Sequence, residues 1–147
     1  MGSILTEITR KIEFDAGHRV YGHESKCAHL HGHRYVAEIT VTADELDSLG
    51  RVIDFSVVKN LVGGWIDDTW DHNLLLNDQD PLFDLICQNE KENGRIPFFF
   101  SNENPTAENI ARVLFEQAHW MLITHSIRVT RIRIYETPNC WADYCGT

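Results

Sequence analysis

The stretch His31-Gly32-His33-Arg34-Tyr35-Val36-Ala37-Glu38-Ile39-Thr40-Val41-Thr42 decides the fold class. Its odd positions carry His31, His33, Tyr35, Ala37, Ile39 and Val41, a period of two that reads as a strand with one buried face. Upstream, Glu7 to His18 repeats the pattern through Ile8, Ile12, Phe14 and Ala16, interrupted only by Arg10. His18 closes that same face, and the first strand can pair with the second.

Working outward, Phe55 to about Trp70 follows with Val57, Val58, Leu61, Val62, Trp65 and Ile66 at helical spacing, and Asp54 stands ready as N-cap. Gly63-Gly64 weakens that helix by about 1 kcal/mol per glycine relative to alanine. Asp78 to Asn104 reads as a long polar or mixed connection punctuated by Pro81, Asn93-Gly94 and Pro97. A second helix is expected from Asn104-Pro105-Thr106, with Pro105 in its first turn and Asn104 or Thr106 as cap. Its buried stripe is Ile110, Val113, Leu114, Gln117, Ala118 and Met121. In the last strand, Ser126 to Thr137, apolar parity changes between Val129 and Ile132, which predicts a bulge near Thr130-Arg131. The order strand, strand, helix, helix, strand predicts an α+β domain over residues 1–147, an antiparallel sheet with both helices on one face.

Composition narrows the function. A formal charge of −9, from 22 acidic against 13 basic residues, argues against nucleic-acid binding, which calls for a basic face. The apolar runs Leu74-Leu75-Leu76 and Pro97-Phe98-Phe99-Phe100 fall far short of the roughly 20 residues that span a bilayer. The opening residues show no basic segment followed by an apolar one, so a cytoplasmic chain is expected. The Met1-Gly2-Ser3 start is left out of the reading. Cys27, Cys87, Cys140 and Cys145 lack C-x-x-C spacing, and reduced thiols are expected.

The chemistry concentrates in Cys27-Ala28-His29-Leu30-His31-Gly32-His33. On a strand, His31 and His33 project from one face about 6.5–7 Å apart, suited to two imidazoles converging on a metal. Gly32 leaves the backbone between them clear. His18 is a candidate third ligand, and by spacing so are His23 and His29. Three neutral histidines would leave one tetrahedral position open, as catalytic zinc requires.

Phe14-Asp15-Ala16-Gly17-His18-Arg19, Cys27-x3-His31-Gly32-His33, Asp71-His72, Pro105-Thr106-Ala107-Glu108-Asn109 and Tyr135-Glu136-Thr137 together resemble the 6-pyruvoyltetrahydropterin synthase family. The motifs occur in family order and span most of the chain. The resemblance implies the tunnelling fold (T-fold), with His18, His31 and His33 on Zn2+. It also implies Cys27 as acid-base with Asp71 and His72 as its relay, and Glu136 on the 2-amino and N3 edge of a pterin. Thr106 and Glu108 are implied at the substrate, although helix capping and the helix dipole explain them as well. Arg19, Lys26 and Arg34 flank the metal motif and are candidates for triphosphate contacts.

Three residues separate Cys27 from His31, which resembles the bacterial 6-carboxy branch; pyruvoyl-forming members resemble C-x5-H-G-H. The implied reaction converts 7,8-dihydroneopterin triphosphate to 6-carboxy-5,6,7,8-tetrahydropterin, acetaldehyde and triphosphate in queuosine biosynthesis. The alternatives are a pyruvoyl-type triphosphate lyase and a non-catalytic zinc or pterin-binding homologue. The resemblance further implies a homo-oligomer, a hexamer of two stacked trimers with active sites shared between subunits. His29 and the long Asp78–Asn104 connection depart from compact bacterial members.

Overall fold

A computed structural model describes residues 5–91 and 94–147. The Met1-Gly2-Ser3 start and Asn93 of the expected turn lie outside those residues. β1 (Glu7–His18) and β2 (His31–Thr42) pair antiparallel over their whole length, from Glu7 opposite Thr42 to His18 opposite His31. Alternation carries the register: Phe14, Ala16, Tyr35, Ala37, Ile39 and Val41 are all buried on one face. A slip of one residue would turn that whole set toward solvent. Each large apolar side chain fully buried there contributes about 1.5–3 kcal/mol.

The helix expected from Phe55 forms with Asp54 as its cap, the carboxylate accepting from the Ser56 amide. It runs as α1 (Phe55–Val58), a π-helical turn (Lys59–Gly63) and α2 (Gly64–Thr69). Gly63 has a packing reason, because a Cβ there would lie 3.1 Å from Ile12 Cδ1 on β1. The chain then enters β3 (Asn73–Asn77), which lies parallel to β1 at Ala16–His18. Gly17 permits the close approach: a Cβ on it would lie 2.8 Å from Leu74 Cδ2.

Two expectations are corrected here. The Asp78–Asn104 connection is structured, holding α3 (Pro81–Asn89) and the short strand β4 (Phe98–Phe100). Asp80 caps α3, accepting from the Leu82 amide, and Pro81 fills its first turn. The sheet is mixed: its six strands run β4-β3-β1-β2, then β5 (Arg128–Thr137) and β6 (Cys140–Tyr144), with β3 and β4 parallel to their neighbours. The long helical crossover from β2 delivers β3 parallel to β1, and a hairpin pattern could not reveal that.

α4 (Ala107–Leu122) is capped by Thr106, whose side chain accepts from the Asn109 amide, so Pro105 sits just before the cap and outside the first turn. Ala107, Ile110, Ala111, Leu114, Ala118 and Leu122 are buried, whereas Val113, Gln117 and Met121 are only half-buried. The bulge falls where parity predicted it: Arg131 faces Thr40 and Val129 faces Val41, leaving Thr130 as the extra residue. Among the described residues no helix is long and apolar enough to cross a membrane.

A three-histidine centre beside the start of the second long helix

The pairing of β1 with β2 brings His18 and His31 face to face and places His33 opposite Ala16, all three rings on the inner face. Their candidate ligand atoms lie within 4.8 Å of one another. His18 Nε2 and His31 Nε2 are 3.2 Å apart. Tetrahedral zinc with bonds of about 2.0–2.1 Å holds its nitrogens at roughly that spacing.

The outer ring atoms explain why the inner ones are free for a metal. His18 Nδ1 donates to the Pro105 carbonyl at 2.7 Å, and His31 Nδ1 donates to the His29 carbonyl at 2.7 Å. A carbonyl only accepts, so each Nδ1 carries the proton and each Nε2 presents a lone pair. Two lone pairs facing each other repel unless a cation lies between them. His33 Nε2 is buried with no hydrogen-bond partner at all. Burial, aided by the neighbouring His31 and His33 and opposed by the bond to Pro105, lowers the His18 pKa to about 4. Burial also lowers that of His33. Both rings are therefore neutral near pH 7, the state a metal needs. The donor set fits zinc. His23 and His29 stand outside the cluster, and His29 serves through its carbonyl alone.

Glu136, near the end of β5 and on the same parity as the buried Ile132 and Ile134, puts Oε2 3.9 Å from His33 Nε2 and is half-buried. Thr106 and Glu108 open α4 beside Pro105; the Thr106 hydroxyl is occupied by its cap and Glu108 is exposed. Cys27 lies half-buried on a single 3-10 turn (Lys26–Ala28) just before β2.

Asp71 and His72 form a hydrogen-bonded pair. Asp71 Oδ1 accepts from the Asp15 amide at 2.9 Å, and His72 Nδ1 donates to Asp71 Oδ2 at 2.8 Å. Burial pushes the Asp71 carboxyl up, but the Asp15 amide and the His72 ring outweigh it and hold it below the usual carboxylate range. His72 adopts φ 57°, a left-handed conformation uncommon outside glycine, and its side chain is 74% exposed. Among the described residues no hydrogen bond joins this pair to Cys27. A cavity of about 700 Å³ has His33 and His72 in its wall but neither Cys27 nor Glu136.

The flanking cations have partners of their own. Arg19 is gripped by both oxygens of the buried Asp80, and Arg34 bonds Glu13 and Asp15 at 2.9 Å each. Lys26 is exposed. The contributions of the Pro105 and His29 carbonyls escaped the sequence reading because a backbone carbonyl leaves no residue-type signal. The Asp80 cap was missed with the connection around it, although Asp followed by Pro is a helix-start signal.

The mixed sheet thus carries, on its two longest strands, three inward histidines that could hold a metal ion. The chain belongs to the family described as 6-pyruvoyl tetrahydropterin synthase, which it matches over residues 7–147. A protein of Rickettsia typhi named 6-carboxy-5,6,7,8-tetrahydropterin synthase is 46% identical over 140 residues, 95% of this chain and 99% of that one. The protein of that name from Aquifex aeolicus is 31% identical over 94% of this chain and 96% of its own. Among solved structures, an uncharacterized protein from Wolinella succinogenes superposes with TM-score 0.83 at 24% identity, covering 99% of this chain and 100% of that one. The Caenorhabditis elegans 6-pyruvoyl tetrahydropterin synthase superposes at 0.70, also at 24% identity, over 98% and 97%. Those two likenesses establish the shared fold.

Proposed function

We propose that this chain is a zinc-dependent 6-carboxy-5,6,7,8-tetrahydropterin synthase. It is a lyase that takes 7,8-dihydroneopterin triphosphate and one water to 6-carboxy-5,6,7,8-tetrahydropterin, acetaldehyde and triphosphate, acting in the cytoplasm within 7-deazaguanine biosynthesis. The observation that carries the reading is the convergence of three histidines, in a chain whose near-full-length relatives bear that name.

His18, His31 and His33 would hold zinc, which supplies Lewis acidity toward the hydroxyl and carbonyl oxygens of the substrate side chain. The Pro105 and His29 carbonyls keep His18 and His31 in the ligating tautomer. Glu136 accepts from the pterin's 2-amino and N3–H, a donor pair that a carboxylate matches. Cys27 exchanges protons with the substrate side chain during triphosphate elimination and carbon–carbon cleavage. Asp71 orients His72 so that Nε2 can take up or release a proton. The opening of α4, with Thr106 and Glu108, borders the substrate.

Cys27 has no bond to Asp71 or His72 of its own chain. A homo-oligomer with shared active sites, hexameric by resemblance, would let the pair on one copy serve the thiol of another. Incubating the zinc-loaded protein with 7,8-dihydroneopterin triphosphate and identifying products by mass spectrometry tests the reading. 6-Carboxytetrahydropterin with acetaldehyde is expected. A 6-pyruvoyl product, or pterin binding without turnover, would overturn it in favour of the other branch or a binding homologue.

A further inference from the structure

Two side-chain atoms on the inner face of β2, His33 Nε2 and Tyr35 Oη, are buried without a hydrogen-bond partner. A metal accounts for the first. The second has no such explanation, and buried hydroxyls are almost always paired, because an unmade bond there forfeits the water it once had. The Tyr35 ring is fully buried and fixed in place. It stacks on Phe14 at 5.1 Å and meets the His33 and His18 rings edge-on at 5.3 and 5.8 Å. The hydroxyl therefore cannot swing out to solvent to find a partner.

A candidate acceptor stands on the next strand. Val36 pairs with Tyr135, so one step along the ladder Tyr35 and Glu136 are cross-strand neighbours on the inner face. The Glu136 charge acts on the Tyr35 hydroxyl electrostatically. Its Oε2 now rests 3.9 Å from His33 Nε2, the atom that a metal would take. With a cation seated there, the carboxylate needs a donor that holds it toward the ligand and away from the metal.

We propose that Tyr35 is a positioning residue whose hydroxyl donates to the Glu136 carboxylate in the occupied site, setting the plane in which Glu136 meets the pterin edge. A carboxylate has about four lone-pair sites, enough for two pterin donors and the phenol together. This inference rests on the role given to Glu136 above.

The test compares wild type, Tyr35→Phe, Glu136→Gln and the double variant, all zinc-loaded, by fluorescence titration with neopterin. Zinc stoichiometry and Tm are measured on the same samples. Tyr35→Phe should weaken binding about tenfold, with zinc content unchanged. In the Glu136→Gln background it should cost little more, because the two groups act as one unit. Wild-type affinity for Tyr35→Phe, losses that add in the double variant, or a fall in zinc content or Tm without a change in affinity would each overturn the proposal. If Glu136→Gln itself binds neopterin as tightly as wild type, the role of Glu136 fails and this inference fails with it. If only Tyr35→Phe is silent, Glu136 stands and Tyr35 alone is wrong.

Discussion

The three histidines and the Asp71–His72 pair are built from different material. The histidines stand on two long strands whose register fixes their spacing, with the Nδ1 atoms of His18 and His31 held by backbone carbonyls. All three rings converge within one chain. Asp71–His72 sits on a turn, its imidazole exposed and its backbone left-handed, and it makes no bond to Cys27 among the described residues. Strand pairing alone gathers the three histidines, whereas the His72 imidazole is presented outward.

The largest effect expected on the three histidines comes from His18→Ala. Even outer-shell partners of metal ligands are worth about 10–100-fold in affinity, so deleting a ligand should cost more than about 100-fold. Metal analysis after dialysis against a weak chelator reads this directly. Stoichiometric zinc in the variant would remove His18 from the ligand set.

Next comes Glu136→Gln, which tests whether the carboxylate belongs to the metal or to the substrate. Exchanging a charge-assisted acceptor pair for an amide should cost about 2–4 kcal/mol of pterin binding, or roughly 30- to 1,000-fold. Zinc content should not move. A loss of zinc would place Glu136 among the ligands and erase the distinction between the two roles.

A smaller effect is expected from pH. The folded pKa of His18 is depressed to about 4, below its ordinary value near 6.5, so the unfolded chain binds that proton more readily. The stability this gives the metal-free protein is whole above about pH 6.5 and is lost as pH falls toward 4. Thermal melts of metal-free protein at pH 7.5 and pH 5 should show the lower Tm at pH 5. A Tm independent of pH across that interval would mean that the rings are solvated and not packed as described.

The sequence was most legible where side chains alternate. The bounds of β1 and β2, the Thr130 bulge and the inward parity of His18, His31, His33 and Glu136 all follow from a period of two. It was least legible between Asn73 and Asn104. Leu74-Leu75-Leu76 and Phe98-Phe99-Phe100 are short apolar runs without alternation, which periodicity cannot divide between strand and buried helix. Parallel pairing depends on where a crossover lands, and that is set by tertiary packing. In the site, the ligand residues were readable as types. Spacing left His18, His23 and His29 open and the family resemblance chose His18, which the strand register sets opposite His31; the lack of a hydrogen bond between Cys27 and His72 needed the folded chain.

We propose that one chain supplies all three histidines of the metal site while the thiol and the imidazole of the relay come from two chains. Mixing two inactive proteins tests it most directly. Cys27→Ala and His72→Ala should each retain zinc and lose turnover. Co-assembled from equal amounts of denatured chains, they should regain about a quarter of wild-type activity, because random mixing pairs an intact thiol with an intact imidazole at about one site in four. Activity that stays at the level of the separate variants, in oligomers verified as mixed, would place thiol and imidazole in the same chain and contradict the account.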